Sequence, residues 1–587
     1  MARARRCDED GSQAECQVRH RAVAASRRFA SRRGCWRLVV GLTLAVLGLQ
    51  IRAADQPQWG QAWSRNMVSE ERHLPDTFDP ATGKNIRWSA PLGTESHSTP
   101  VVAGGRIYIG TNNGQPRDSK QHGDRGVLMC FEEKTGKFLW QLVVPKRSED
   151  PYMDWPNAGI SSPATVEGDR VYIVSNRGEV MCLDARGMAN GNQGPFRDEG
   201  AHMTPPADAE APPKAVAGAN IEPQLLRPRA DGMLLQPGPT DADIIWLFDL
   251  VAEAGIWPHD AAHSSILLHG DYLYLNSGTG VDNTHRRIRR PDAPSLVVLD
   301  KSTGRYVARD DEPIAPDIFH STWSSPSLAV VNGRALIFFC GGNGVVYAFA
   351  ALDPDAGSVL GNPSSVAAGN SASAINARHR TGGAGVRRLK KVWQFDFDPT
   401  APKENVHAYL TNRREGPSNI YGMPVCYRNR VYVAGGGDVF WGKNQAWLKC
   451  IDATQTGDIT VSGLVWSYRL ERHVLGTPAI SQGMVFIADC GRKLHCVDAE
   501  TGKPYWTADI TGDAWASPLV ADGKVYLGTR SGNFYVFGAS RTKQLLSAVE
   551  LGNPISATVT AANGTVYIAT MSRLYAVQDQ DWLGAVR

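Results

Sequence analysis

Several things are missing from this 587-residue chain. It has no two adjacent cysteines, no Cys-x-x-Cys and no apolar run long enough to cross a bilayer as a helix. The first two absences exclude a close thiolate pair for zinc and a redox dithiol. The third argues against a spanning helix, which needs about 20 apolar residues. Neither charge sign dominates, with 62 basic and 59 acidic residues. Residues 1–54 hold 11 of the basic residues and four of the acids, which leaves 51 basic against 55 acidic residues, a net charge of −4. The slight basicity therefore belongs to the N-terminus and gives no reason to expect a nucleic-acid partner.

That N-terminus reads as a leader. Residues 1–37 are Arg-rich and carry no strand pattern, and Leu38 to Leu49 is an uncharged stretch of 12 residues. A basic segment, a short apolar segment and the small residues Ala53 and Ala54 make the pattern of a secretory signal. Residues 1–54 are expected to be removed, and the protein to be exported, periplasmic or extracellular. An uncleaved N-terminal anchor is the alternative. Arg27-Arg28 and Arg32-Arg33 permit a twin-arginine route. No cysteine follows the apolar stretch closely, which argues against a lipoprotein. Cys7, Cys16 and Cys35 leave with the leader, and seven cysteines remain, an odd number.

What is present is a repeat. A small residue, a Pro or its replacement, an apolar pair, a Gly or Asn turn and an alternating strand recur eight times, beginning at Ser98, Ser161, Ser264, Ser324, Gly422, Gly476, Ala516 and Ser556. Each copy holds two strands joined by a hairpin turn. A third strand follows, as in Val127–Phe131 and Lys493–Val497, and a fourth ends on Trp140, Trp246, Trp393, Trp466 or Trp506. Four antiparallel strands repeated about an axis give a β-propeller. The fold expected is all-β: an eight-bladed propeller of four-stranded antiparallel blades over residues 85–587, with seven blades if one copy is decorative. The last copy stops near Val577, so the N-terminal strand Asn85–Trp88 is expected to supply its outer strand and close the ring, which protects two sheet edges. Residues 55–84 are left as an N-terminal extension.

The third strand often runs into an acid-x-x-Thr-Gly-x-x-x-Trp turn: Glu132, Thr135, Gly136 and Trp140, then Asp498, Thr501, Gly502 and Trp506, with Asp300, Thr303 and Gly304 as a partial copy. The acid and Thr bond turn amides, Gly takes positive φ, and Trp packs between blades. This turn, with the Ser-x-Pro and Val-Tyr-Ile strands, resembles the pyrroloquinoline-quinone (PQQ) repeat over roughly residues 85–577. That family comprises the quinoprotein dehydrogenases and non-catalytic relatives such as BamB-like outer-membrane assembly proteins. The repeat marks the fold and not an activity.

Two stretches, 188–240 and 354–390, lack the period and are rich in Ala, Pro, Ser and Gly. They read as flexible surface insertions. Three loops between second and third strands, 111–126, 276–294 and 435–446, are long and fall on one face, which becomes the candidate binding face. The segments leading into the first strands reach the same face near the channel. They carry His97, Asp154, Trp155, Asn157, His263, His320, Tyr421 and Trp515, with His259, Asp260, Trp323 and Asp513 beside them. Convergent polar and aromatic groups in a funnel suit a ligand, and the eight named first are the candidate cofactor- or ligand-binding residues. Capping of the blade tops is the plainer role for any one of them.

No metal ligand is assigned, because His97, His263 and His320 come from three different copies and would be spread too widely for zinc. Cys130, Cys182, Cys450 and Cys496 share one repeat position that Ala or Val fills elsewhere, so they read as buried and apolar. The basic run from His285 to Arg290 reads as a solvated loop. The resemblance implies, for a catalytic member, PQQ held with calcium by carboxylate and amide ligands, an Asp base, a Trp platform and often a disulfide of adjacent cysteines. The adjacent cysteines are absent, no convincing Glu, Asn and Asp set is found, and there is no Cys-x-x-Cys-His for haem. No catalytic residue is assigned. The function expected is a binding or scaffolding module with a protein or small-molecule ligand of unknown identity at one funnel face. The alternative is a PQQ-dependent alcohol dehydrogenase. The chain is expected to be a monomer, at most peripheral to a membrane or envelope complex.

Overall fold

The alternating strands fold as eight separate sheets, five of four strands and three of five. The computed structural model describes residues 54–147, 150, 153, 155–205, 233–260, 264–353 and 385–581. All of them lie in one compact unit, residues 51–587. The protein is an eight-bladed, all-β propeller. The sixth blade shows the plan: Ala479–Ser481, Met484–Asp489, Lys493–Asp498 and Pro504–Asp509 pair antiparallel in order. Its second strand is buried along its whole length, as expected of a strand packed on both faces. The expectation of four strands throughout needs correction for three blades. Val68–Ser69, Arg387–Arg388 and Gly457–Asp458 each add a short parallel strand to a sheet edge. In the eighth blade the outer strand is Ile86–Pro91, antiparallel to Arg573–Val577 with Ile86 opposite Val577 and Pro91 opposite Arg573.

Neighbouring blades are joined by the outer-strand tryptophans. Indole N–H groups of Trp88, Trp140, Trp246, Trp393, Trp466 and Trp506 each donate to a backbone carbonyl of the following blade, at 2.9–3.2 Å. At four of these joints the ring lies on the turn glycine. A Cβ on Gly304 would sit 2.5 Å from Trp246, and one on Gly502 would sit 2.6 Å from Trp466. Both glycines have φ near +70°, so only glycine meets the two demands together. Asp498 holds the turn by accepting from Glu500 N, Thr501 N and Thr501 Oγ1 at 2.8–3.0 Å. The seven described cysteines are all buried and unpaired.

Residues 54–71, the last residue assigned above to the leader and the first part of the extension, hydrogen-bond to all eight blades. The innermost strand of each blade is a sheet edge whose N–H and C=O groups need partners. Gln56, Pro57, Trp63, Ser64 and Met67 offer carbonyls to Val102, Val166, Leu328, Cys426 and Val520 of the first, second, fourth, fifth and seventh blades, and Ala54 to Asn563 of the eighth. Asn66 exchanges two bonds with Ile480 in the sixth. Arg65, wholly buried, donates to Ser265 O at 2.9 Å and Pro326 O at 3.0 Å in the third and fourth. Burial lowers its pKa to about 9.

The insertions expected to be flexible are folded at their described ends. Glu199–Met203 is a short helix whose His202 bonds Glu179 at 3.0 Å, and Met203 O accepts from Arg125 at 2.8 Å. Leu389 is buried beside the parallel Arg387–Arg388 strand. Residues 206–232 and 354–384 lie outside the described residues. Among the described residues no helix is long and apolar enough to cross a membrane.

Candidate functional site

The loops leading into the first strands, and two of the long loops between second and third strands, surround a cavity of about 400 Å³. Its walls are mostly aromatic: Trp155, Trp323, Tyr421, Phe440, Trp441 and Trp515 line it, with Trp59 of the N-terminal segment. Trp323 and Tyr421 lie 4.7 Å apart, and Phe440 meets Trp515 edge-on at 6.1 Å. Polar groups sit at two places. On one side Arg530 lies 4.5 Å over the Trp515 ring and donates to Ser556 Oγ at 2.6 Å, while Glu95 holds His97 Nε2 at 2.7 Å. On the other side are Asp260 and three histidines.

Those histidines are His259, His285 and His320. His259 Nε2 lies 3.2 Å from His285 Nε2 and 3.2 Å from His320 Nε2. His259 and His320 are buried, and His285 is half-buried on the long loop of the third blade. His320 Nδ1 bonds Asp438 Oδ2 at 2.9 Å. Asp438 has no solvent exposure. Its Oδ1 accepts from Phe440 N at 2.9 Å and Trp441 N at 2.7 Å, and its Oδ2 accepts from the Tyr421 hydroxyl. Burial favours neutral His259 and lowers its pKa to about 4. His320 differs: burial acts against its charge, but Asp438 and Asp260 outweigh that and raise it to about 10.

Five sequence candidates meet at this cavity: His97, Trp155, His320, Tyr421 and Trp515. Asn157 does not line it. Its N–H donates to Asp124 at 2.7 Å and its carbonyl accepts from Asn112 at 2.8 Å, so it fastens the loop. Asp154 and His263 fall outside the described residues. The histidine trio weighed from sequence was His97, His263 and His320, whereas the trio that converges among the described residues is His259, His285 and His320. His285 was hidden in a run that reads as solvated. Asp438, Arg530 and Glu95 carried no signal beyond their place in loops of the right face.

The described residues do not fit calcium with PQQ. Calcium takes six to eight oxygen ligands. Here the convergent donors are imidazole nitrogens with the single carboxylate Asp260 beside them, the Asp438 oxygens are engaged by four donors, and Glu95 is held by His97.

Residues 124–188 and 444–581 match the family described as outer membrane protein assembly factor BamB. Those residues carry the resemblance to the PQQ-repeat fold family. A stretch of 108 residues is 29% identical to the quinohemoprotein alcohol dehydrogenase of Comamonas testosteroni, and covers 16% of this chain and 15% of that enzyme. BamB from Moraxella catarrhalis superposes with a TM-score of 0.47 at 12% identity, over 84% of this chain and 99% of its own. The solved structure of the Comamonas enzyme gives 0.40 at 14% identity, over 89% and 80%.

Proposed function

We propose that the protein is an exported, non-catalytic binding propeller whose mouth takes a flat, acidic small molecule. One observation carries this reading: a cavity of about 400 Å³ walled by indole and phenyl rings, with the Arg530 guanidinium set at one side. Sites of this size with apolar walls and a few fixed polar groups suit small ligands. Rings stack on the indole faces, and Arg530 answers a carboxylate. Export rests on the leader pattern of residues 1–54, with cleavage near Ala53 and Ala54. Ile86–Pro91 is read as the strand that closes the ring, supported by its register against Arg573–Val577.

The test is a tryptophan-fluorescence titration with a naphthalene carboxylate, and in parallel with PQQ plus calcium followed by dye reduction with alcohols. Saturable quenching by the carboxylate, weakened about tenfold or more in Arg530→Ala, with no dye reduction, is the expected result. The Arg530 effect follows from a charge-assisted bond worth about 1.5–3 kcal/mol. Alcohol-dependent dye reduction overturns the non-catalytic reading, and absence of quenching overturns the ligand.

A further inference from the structure

We propose that His259, His285 and His320 are the protein ligands of a transition-metal site on one side of the funnel, for a divalent ion of the zinc class. Its remaining coordination position would face the cavity. The inference stands apart from the small-molecule reading, since it uses different residues and a different probe.

Distance is the first argument. Zinc binds imidazole nitrogen at about 2.0–2.1 Å, which sets nitrogens about 3.3 Å apart along a tetrahedral edge. Two of the three separations here are 3.2 Å, and all three nitrogens lie within 4.8 Å of one another. Hydrogen bonding alone serves this arrangement poorly. His259 Nε2 has one lone pair or one hydrogen and faces two imidazole nitrogens at the same distance. A single cation satisfies both contacts.

The second argument is support from behind. Asp438 accepts from His320 Nδ1 at 2.9 Å, so Nε2 is the nitrogen turned to the other histidines. Metal-ligating histidines commonly use such a carboxylate to fix ring and tautomer. Asp438 is itself fixed by Tyr421 and by the Phe440 and Trp441 amides. Asp260 adds a carboxylate 3.3 Å from His320 Nε2 and 3.6 Å from His259 Nε2, close enough to balance the ion's charge.

The third argument is that the loops are built for close approach. Val281 N donates to His320 O at 2.9 Å, and Ser321 Oγ donates to His259 O at 3.0 Å. Gly280 lies between them, where a Cβ would sit 2.6 Å from His320 O and 2.8 Å from His259 Cβ. Any side chain there would push the two histidines apart. Three nitrogen donors select zinc, copper, nickel or cobalt over calcium and magnesium, which prefer oxygen. The ion displaces whatever protons the imidazoles hold, as metal binding generally does.

The experiment uses untagged, chelator-treated full chain titrated with Co²⁺, followed by visible absorption, and with Zn²⁺ in competition. The expected result is one equivalent of Co²⁺ with the intense bands of a low-symmetry nitrogen site, displaced by one equivalent of Zn²⁺. His259→Ala or His320→Ala should weaken binding at least 100-fold. His285→Gln, on the half-buried loop, should do so without threatening the fold. Asp438→Asn should cost about 10- to 100-fold, as loss of a carboxylate that orients a metal-bound histidine does. His97→Ala should cost nothing. Circular dichroism of each variant separates misfolding from ligand loss. Absence of a Co²⁺ spectrum in the folded wild type overturns the site, and so does a spectrum unchanged in His285→Gln. If the naphthalene carboxylate still quenches in protein that binds no metal, this inference alone falls. If metal binds and the carboxylate does not, the small-molecule reading alone falls.

Discussion

Two arcs of the same ring differ in what their loops do. In residues 444–581 the second and third strands of a blade are joined by three or four residues, as between Asp489 and Lys493 or Gly528 and Asn533. In the arc before it, 19 residues separate Asn276 from Leu296, and nine separate Gly436 from Ala446. The family match covers the first arc and, earlier, residues 124–188. It skips 189–443, where all three clustered histidines and Asp438 lie. The repeat thus records what holds blades together, while the histidine cluster lies outside the matched stretches and Arg530 and Trp515 lie inside one. A rigid, repetitive ring lets irregular loops be positioned without carrying the fold.

The comparison fails first if the ring does not depend on its glue. Removing residues 54–91 takes hydrogen-bond partners from the inner strands of eight blades and bares the edge at Arg573–Val577. Exposed edges pair with other chains, so the expected product is aggregate. A soluble monomer with native circular dichroism, seen by gel filtration, would show that the ring closes without this segment. Next in size is Trp393→Ala. This ring is fully buried between the fourth and fifth blades, and its loss should cost about 3–5 kcal/mol in urea unfolding. A cost below about 1 kcal/mol would remove Trp393 from the glue.

The ring was far more legible in the sequence than the site. Strand alternation, turn pairs and the acid-x-x-Thr-Gly-x-x-x-Trp signature are local, and each repeats. Trp140 and Trp246 could be expected to pack between blades because a Trp recurs at the same place in several copies. The site has no period. His259 and His285 lie 26 positions apart in one blade, His320 enters from the next, and Asp438 comes from a fifth-blade loop 118 residues further on. Only the side-by-side packing of the third, fourth and fifth blades brings them together. The N-terminal segment was illegible for a related reason. Arg65 and Asn66 bond backbone groups across the channel, and backbone acceptors leave no residue pattern to find.

Glu179 lies where the first matched stretch meets the insertion, so it tests whether the insertion belongs to the ring energetically. It is buried with Arg177, His202 and Ser175 around it. Burial alone would raise its pKa, but Arg177 and His202 outweigh burial and hold it far below the carboxylate range. A depressed folded-state pKa means stability that is present above the unfolded value of about 4.3 and lost as pH falls. Glu179→Gln should cost about 2–3 kcal/mol at neutral pH. The gap to wild type should narrow as unfolding is measured at progressively lower pH below about 4. A gap that stays constant on acidification would show that charge is not what Glu179 contributes.

The smallest effect on stability should come from the mouth itself. Trp155 lines the cavity but is 48% exposed, and its backbone carbonyl, not its ring, accepts from Lys146 at 2.9 Å. Trp155→Ala keeps that bond and returns to water a ring already half in it. Unfolding should shift by no more than about 0.5 kcal/mol, as for surface changes generally. The naphthalene carboxylate, by contrast, loses one stacking wall worth about 0.5–1.5 kcal/mol, or roughly 2- to 13-fold in affinity. Trp393→Ala should behave in reverse, with the fold weakened and affinity unchanged in the protein that remains folded. Two tryptophans of one propeller would then separate cleanly by role. Should Trp155→Ala instead unfold as easily as Trp393→Ala, the mouth would be part of the glue, and the division between a structural ring and a functional rim would not hold.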